Sequence, residues 1–172
     1  MITLCFALIF IIRLYTLSVS KRNEQALLAA GAAEHGANTS QLLATVHIAY
    51  YFSALLESYL RGASFDGTSL FGLLLTGSAL AVLFYVIRAL GEIWTVKIYI
   101  HPQHQLKQSW LFRRVRHPNY FLNIIPELIG IAFLCHAWTT LSFGLPLYGL
   151  VLARRIKQEE HAMRHLRVQE TA

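Results

Sequence analysis

Five stretches of this chain are apolar for about as long as a helix needs to cross a bilayer, roughly 20 residues. They cover residues 2–19, 41–60, 67–90, 118–135 and 138–153. A chain of 172 residues built this way, with 55% hydrophobic and 14% charged residues, has little left for a water-facing shell. Inside lipid every backbone N–H and C=O must be satisfied within the protein, which leaves helices as the solution for runs of this length. The pattern therefore predicts an all-α fold, an integral membrane bundle of five transmembrane helices, and the polar, basic stretch from His101 to Tyr120 between two of them could build a cytoplasmic cofactor site. The chain forms one domain over residues 1–172, because no repeat, low-complexity tract or linker interrupts it. The first run competes with a signal-peptide reading. No basic segment precedes it and no small-residue cleavage site follows Ser18, so it is read as a retained span.

With five spans, the segment after the first, the 91–117 segment and the tail share one side. They carry Lys21, Arg22, Lys97, Lys107, Arg113, Arg114, Arg116, Arg154, Arg155, Lys157, Arg164 and Arg167, against Arg61 alone on the other side. The positive-inside rule puts that basic side in the cytoplasm and the N-terminus outside. The net charge of +6 could suggest nucleic acid, but the cations sit beside apolar runs and no nucleic-acid module is visible. No nucleic-acid partner is expected; membrane lipids are. Cys5 and Cys135 lie in apolar segments without C-x-x-C spacing, which argues against a disulfide framework or structural zinc. His101 and His104 are three apart, but Pro102 lies between them and no third ligand is evident, so no metal is expected.

Local signals refine the picture. Residues 21–40 are polar and alanine-rich, and predict a short helix through Glu34 with Gly36 and Asn38 as stops. Glu57 and Arg61 stand at i, i+4 and should pair at the water boundary. Thr76, Gly77, Ser78, Ala79 and Ala81 would let a neighbouring helix approach the third span closely. Arg88 should snorkel to the interface or face a polar cavity. Residues 91–99 mix Trp and Tyr with charge, as interfacial segments do. Pro126 and Pro146 interrupt the last two spans, which only His136 and Ala137 separate; a hairpin that tight makes those spans antiparallel neighbours.

That hairpin has a chemical consequence. The basic stretch from His101 to Tyr120 ends in Arg116-His117-Pro118-Asn119-Tyr120, with Pro118 suited to a first helical position and His117 at a helix N-terminus. Beside it should lie the end of the fifth span, with Glu159 and Glu160 facing His117, Asn119 and Tyr120. The bland alternative is a solvated helix end in which the glutamates pair with Arg155 and Lys157. Glu127 lies near the midplane beside Pro126, where an unmet charge costs about 2.5–3.5 kcal/mol on insertion scales. It should be protonated or paired, and either takes a substrate role or a structural one, bracing the backbone at Pro126 or pairing with Arg88. Nucleotide-binding glycine loops, hydrolase elbows and zinc-protease motifs are absent from the sequence.

His104-x-Leu106-x-x-Ser109-x-x-Phe112-x-x-Val115-Arg116-His117-Pro118-x-Tyr120, followed by Arg155-Ile156-x-x-Glu159-Glu160, resembles the isoprenylcysteine carboxyl methyltransferase family. Arg88-x-x-Gly91-x-x-Trp94 is also similar, so the resemblance covers residues 88 to 160. It implies an integral membrane enzyme that uses S-adenosylmethionine, held among His104, Leu106, His117, Pro118, Tyr120, Glu159 and Glu160. The implied reaction is O-methylation of a carboxylate or acidic hydroxyl on a lipophilic, prenyl-type or other membrane-dissolved acceptor. Glu127, Arg88, Arg155 and Arg164 are the catalytic candidates, the arginines as partners for the acceptor's anion. In the first half, Ser20-Lys21-Arg22-Asn23-Glu24, Leu27-Leu28 and Gly31-Ala32-x-Glu34-x-Gly36 are similar to a bacterial branch that methylates alkylpyrones. Two departures stand out: Trp110-Leu111-Phe112 replaces a glycine turn, and no F-G-x-x-Y-x-x-Y pattern follows the glutamates. The second touches the part that closes over substrate and bears on the acceptor rather than the cofactor. The competing class is a non-enzymatic membrane protein, a small transporter or assembly factor with Glu127 in a solute path.

Overall fold

The computed structural model describes residues 1–100, 111 and 114–162. Among them run five helices: α1 (Ile2–Ala29), α2 (Ala37–Leu60), α3 (Gly67–Leu90), α4 (Asn119–Leu134) and α5 (Leu145–Ala162). Two strands, β1 (Ala33–His35) and β2 (Ile98–Ile100), pair antiparallel with Glu34 opposite Tyr99. By length and composition, Ile2–Ala29 and Gly67–Ile93 are long and apolar enough to cross a membrane, and Asn119–Leu134 is a shorter apolar helix.

The first span and the start of the short helix expected after it form one continuous helix. α1 continues to Ala29, since residues 20–29 contain neither Gly nor Pro and are mostly good helix formers. Gly31, at φ +86°, ends the turn that follows, and Ala33–His35 is strand, where a helix was expected to run through Glu34. The extension is anchored rather than solvated. Asn23 Nδ2 donates to the carbonyls of Gly91 (3.1 Å) and Trp94 (2.8 Å), and the Val96 N–H donates to Ser20 Oγ (2.9 Å).

Both internal prolines are handled in the same way. Proline removes an N–H and its ring collides with the carbonyl four residues back. The six residues of Asn119–Ile124, just before Pro126, wind as π-helix, and so does Thr140–Gly144, just before Pro146. The wider turn makes room for the ring without breaking the helix.

α3 packs chiefly on α4, and α5 on α2. The α3 face is set by Gly72, Thr76, Ala79, Leu83 and Val86, all buried at helical spacing. Of the small residues expected to form it, Thr76 and Ala79 do, whereas Gly77, Ser78 and Ala81 point outward. The closest approach is at Gly72 and Gly130: a Cβ on Gly130 would lie 2.8 Å from the Gly72 carbonyl oxygen. His136 (φ +53°) and Ala137 form the tight turn between α4 and the last helix. Glu57 pairs with Arg61 (2.9 Å) as expected, and also caps the turn by accepting from the N–H groups of Thr139 (2.9 Å) and Thr140 (2.8 Å).

Among the described residues, Glu127 and Arg13 form an ion pair inside the bundle. Glu127, fully buried, is met by Arg13 of α1 and by the Tyr51 hydroxyl of α2, not by Arg88, which is exposed in the last turn of α3. His47 stacks on Tyr51 with ring centroids 5.0 Å apart, and its Nδ1 lies 3.3 Å from the Tyr148 hydroxyl.

Two outcomes follow for thermal melting of the detergent-solubilised protein. Gly130→Ala forces α3 and α4 apart and should lower stability by about 1–3 kcal/mol. Arg13→Met leaves Glu127 without its cation and should cost about 3–5 kcal/mol, while Arg13→Met combined with Glu127→Gln should recover much of that loss.

Candidate active site

The segments expected to share one side meet at one end of the bundle: the extension of α1, β1 and β2, the start of α4 and the end of α5. The tight turn at His136 is at the opposite end, so α4 leaves this region and α5 returns to it. Although α4 and α5 lean on different partners along their lengths, their far ends touch through side chains.

Tyr120 is the centre of that contact. Its hydroxyl donates to Glu159 Oε2 at 2.6 Å, a length typical of a charge-assisted bond, and accepts from Arg155 Nε at 3.4 Å. The His117 ring stacks on Tyr120, with centroids 5.6 Å apart and planes 18° apart. It lies between the two glutamates, with Nε2 3.3 Å from Glu160 Oε1 and Nδ1 3.5 Å from Glu159 Oε1. Pro118 is buried and starts the helix, placing His117 and Tyr120 on the same side of the first turn. Arg155 is 2% exposed. Its guanidinium donates to the Val96 carbonyl (2.9 Å) and to Ser40 Oγ, so α2, the 91–100 segment and α4 all converge on it.

The electrostatics follow from this arrangement. Glu159 raises the His117 pKa above its ordinary 6.5; burial opposes the shift and Glu160 adds to it. Burial alone would push Glu159 upward, but hydrogen bonding to His117 and Tyr120 outweighs it and holds the carboxyl below the ordinary range, with the Arg155 charge helping. The cluster is therefore an imidazole poised to carry charge between two carboxylates, backed by a buried guanidinium.

His117, Pro118, Tyr120, Glu159, Glu160 and Arg155 are thus brought together, and the alternative pairing of the glutamates with Arg155 and Lys157 gives way to His117 and Tyr120 as their direct partners. Glu127 and Arg88 make no contact with this cluster among the described residues. His104, Leu106 and Arg164, like His101, lie outside the described residues. Ser40 was not anticipated, and a serine at the start of an apolar run carries no signal beyond helix initiation. Arg13 and Glu127 were both visible as charges inside spans, but nothing in sequence order pairs them.

The groups fit a sulfonium nucleoside bearing an amino acid. Two carboxylates can take ribose hydroxyls or the amino group, and the His117 ring between them offers an N–H donor. Residues 70–165 match the isoprenylcysteine carboxyl methyltransferase (ICMT) family. An uncharacterized protein of Haemophilus influenzae is 56% identical over 165 residues, 96% of this chain and 96% of that protein. Uncharacterized protein YpbQ of Bacillus subtilis is 26% identical over 168 residues, 98% of this chain and 99% of that protein. No solved structure matches the chain. The family match runs from the first turn of α3 past Glu160 and contains every residue of the cluster except Ser40. The chain belongs to the isoprenylcysteine carboxyl methyltransferase family, a family of membrane methyltransferases.

Proposed function

We propose that this protein is an S-adenosylmethionine-dependent O-methyltransferase of the bacterial inner membrane. Its acceptor is a lipophilic molecule dissolved in the bilayer and carrying a carboxylate or an acidic hydroxyl. Its five helices span the membrane with the N-terminus outside and the Tyr120–Glu159 end in the cytoplasm. The observation that carries this reading is the meeting of His117 and Tyr120 with Glu159 and Glu160 across two helices that the turn at His136 keeps antiparallel.

His117, Tyr120, Glu159 and Glu160 hold the cofactor, joined by His104 and Leu106 from the preceding stretch. Bound there, the cofactor would supply an electrophilic methyl group for the acceptor oxygen. A carboxylate or acidic enol is already largely ionised at neutral pH, so the protein's contribution is alignment and the exclusion of water. Alignment of this kind is worth up to roughly 7–11 kcal/mol in well-oriented systems. Arg155 sets the positions of Tyr120 and, through its charge, of Glu159. Arg88, in the last turn of α3, and Arg164 remain the candidates for receiving the acceptor's anion. Glu127, neutralised by Arg13, takes the structural role.

Glu159→Ala and His117→Ala membranes, given labelled S-adenosylmethionine, should transfer label into extracted lipids at least about 100-fold more slowly than wild type. Undiminished transfer in both removes this site. Calorimetry on detergent-solubilised protein tests the rival class, because a transporter or assembly factor would bind no cofactor.

The charges also set a pH dependence. His117 has a raised folded pKa, so its contribution to stability is complete below 6.5 and is lost as pH rises through the folded value. Glu159 has a lowered one, so its contribution is present above 4.5 and is lost only as pH falls through its folded value. Between about pH 6 and about pH 8 the melting temperature of wild type should therefore fall relative to His117→Gln. A constant difference across that range would show that the imidazole carries no such charge.

A further inference from the structure

The outer face of α5 changes character along its length. Phe143 and Leu147, Leu150 and Arg154, Lys157 and His161 follow one another at three- and four-residue steps, so all six lie on one stripe of the helix. The first three are large, apolar and exposed (76%, 55% and 71%), and the last three are exposed and basic or titratable. Where the stripe turns basic, it forms one wall of a groove of about 600 Å³, whose other wall is His35 and Gly36 at the end of β1. Gln158 closes the floor: its buried Oε1 has no hydrogen-bond partner, and a Cβ on Gly36 would come within 2.7 Å of it. Glycine at that position, with φ +67°, is what keeps the groove's wall this close. Among the described residues neither Arg154 nor Lys157 has a carboxylate partner. Glu159 and Glu160 belong to the adjoining face and are turned to His117 and Tyr120.

We propose that this groove is a binding site for the headgroup of an anionic membrane phospholipid, distinct from the methyl-transfer site. The chemistry is a phosphate diester held by the Arg154 guanidinium and the Lys157 ammonium, with the unpartnered Gln158 Oε1 able to accept from a hydroxyl of the headgroup. The stripe chooses lipid over a free anion. An acyl chain continuing from the headgroup runs along Leu150, Leu147 and Phe143, and the apolar, exposed Leu42 near the start of α2 lies on the helix that α5 packs against. A soluble phosphate would use the cations and leave that apolar track unused. The site rests on the reading of α5 as a span that leaves the bilayer on the cytoplasmic side, where anionic headgroups meet basic residues.

The test offers the full-length protein in detergent an equimolar mixture of phosphatidylglycerol and phosphatidylcholine and counts retained lipid by native mass spectrometry. Wild type should prefer phosphatidylglycerol by about tenfold, and Arg154→Gln with Lys157→Gln should bring the ratio to about one. Lys21→Gln with Arg22→Gln, which removes the same charge elsewhere on that side, should leave the preference in place. An unchanged preference in the groove variant, or an equal loss in both double variants, overturns the site. So does displacement of phosphatidylglycerol by millimolar inorganic phosphate, which would mark a free-anion site. Lys157→Gln alone, expected to lose about half the preference on a logarithmic scale, carries the test if the double variant does not fold. Cofactor calorimetry on the same samples separates the two readings: cofactor binding without lipid preference rejects the groove alone, and lipid preference without cofactor binding rejects the methyltransferase.

Discussion

A charge or an unpaired polar group away from water has to be met by the protein itself, and this constraint shapes the whole molecule. Arg13 and Glu127 lie on helices far apart in sequence, and each supplies the counter-charge that the other needs away from water. Their pairing, with Tyr51 added, holds α1 against α2 and α4, although α1 presents a mostly exposed apolar surface elsewhere. The same demand operates at Arg155, where a buried guanidinium draws in Ser40, Val96 and Tyr120 from three separate segments. It operates again at Glu57, which meets Arg61 and the first N–H groups of the helix that follows the turn.

The candidate active site can be understood as a product of these demands. Tyr120 is fixed on one side by Arg155 and on the other by Glu159, so its hydroxyl has little freedom to turn. His117 is held by stacking on Tyr120 and by the two carboxylates. A set of groups restrained in this way gives up less freedom when it binds a ligand, which is the physical content of preorganisation. The helices contribute in the same sense. The π-helical turn at Asn119–Ile124 absorbs the collision that Pro126 would cause, and so the first turn of α4 keeps its direction toward α5.

Much of this was legible before any coordinates. The apolar runs marked α2, α3 and α4 to within a few residues, because a run flanked by charge or by Gly and Pro has few other ways to fold; the last helix continues to Ala162, beyond its apolar run. The turn at His136 and the order of the motifs were enough to bring the start of α4 to the end of α5, and Glu159 does meet Tyr120 there. The helix expected after the first span is there as far as Ala29, but as a continuation of α1, and its Asn23 with the preceding Ser20 binds the backbone of residues 91–96. Polarity alone does not say whether a side chain faces water or a neighbouring carbonyl.

What the sequence by itself determined is the set of local, one-dimensional constraints: helix lengths, the positions of breaks, and which segments collect at the same end. Hydrophobic period, proline and glycine act over a few residues, so they can be read in order along the chain. Only the tertiary structure decided who meets whom. Arg13, rather than Arg88, neutralises Glu127, and Arg155, rather than remaining at a solvated helix end, is buried against Ser40. Those choices depend on which faces of distant helices turn toward each other, and helix rotation is set by packing at positions such as Gly72 and Gly130 that carry no charge at all.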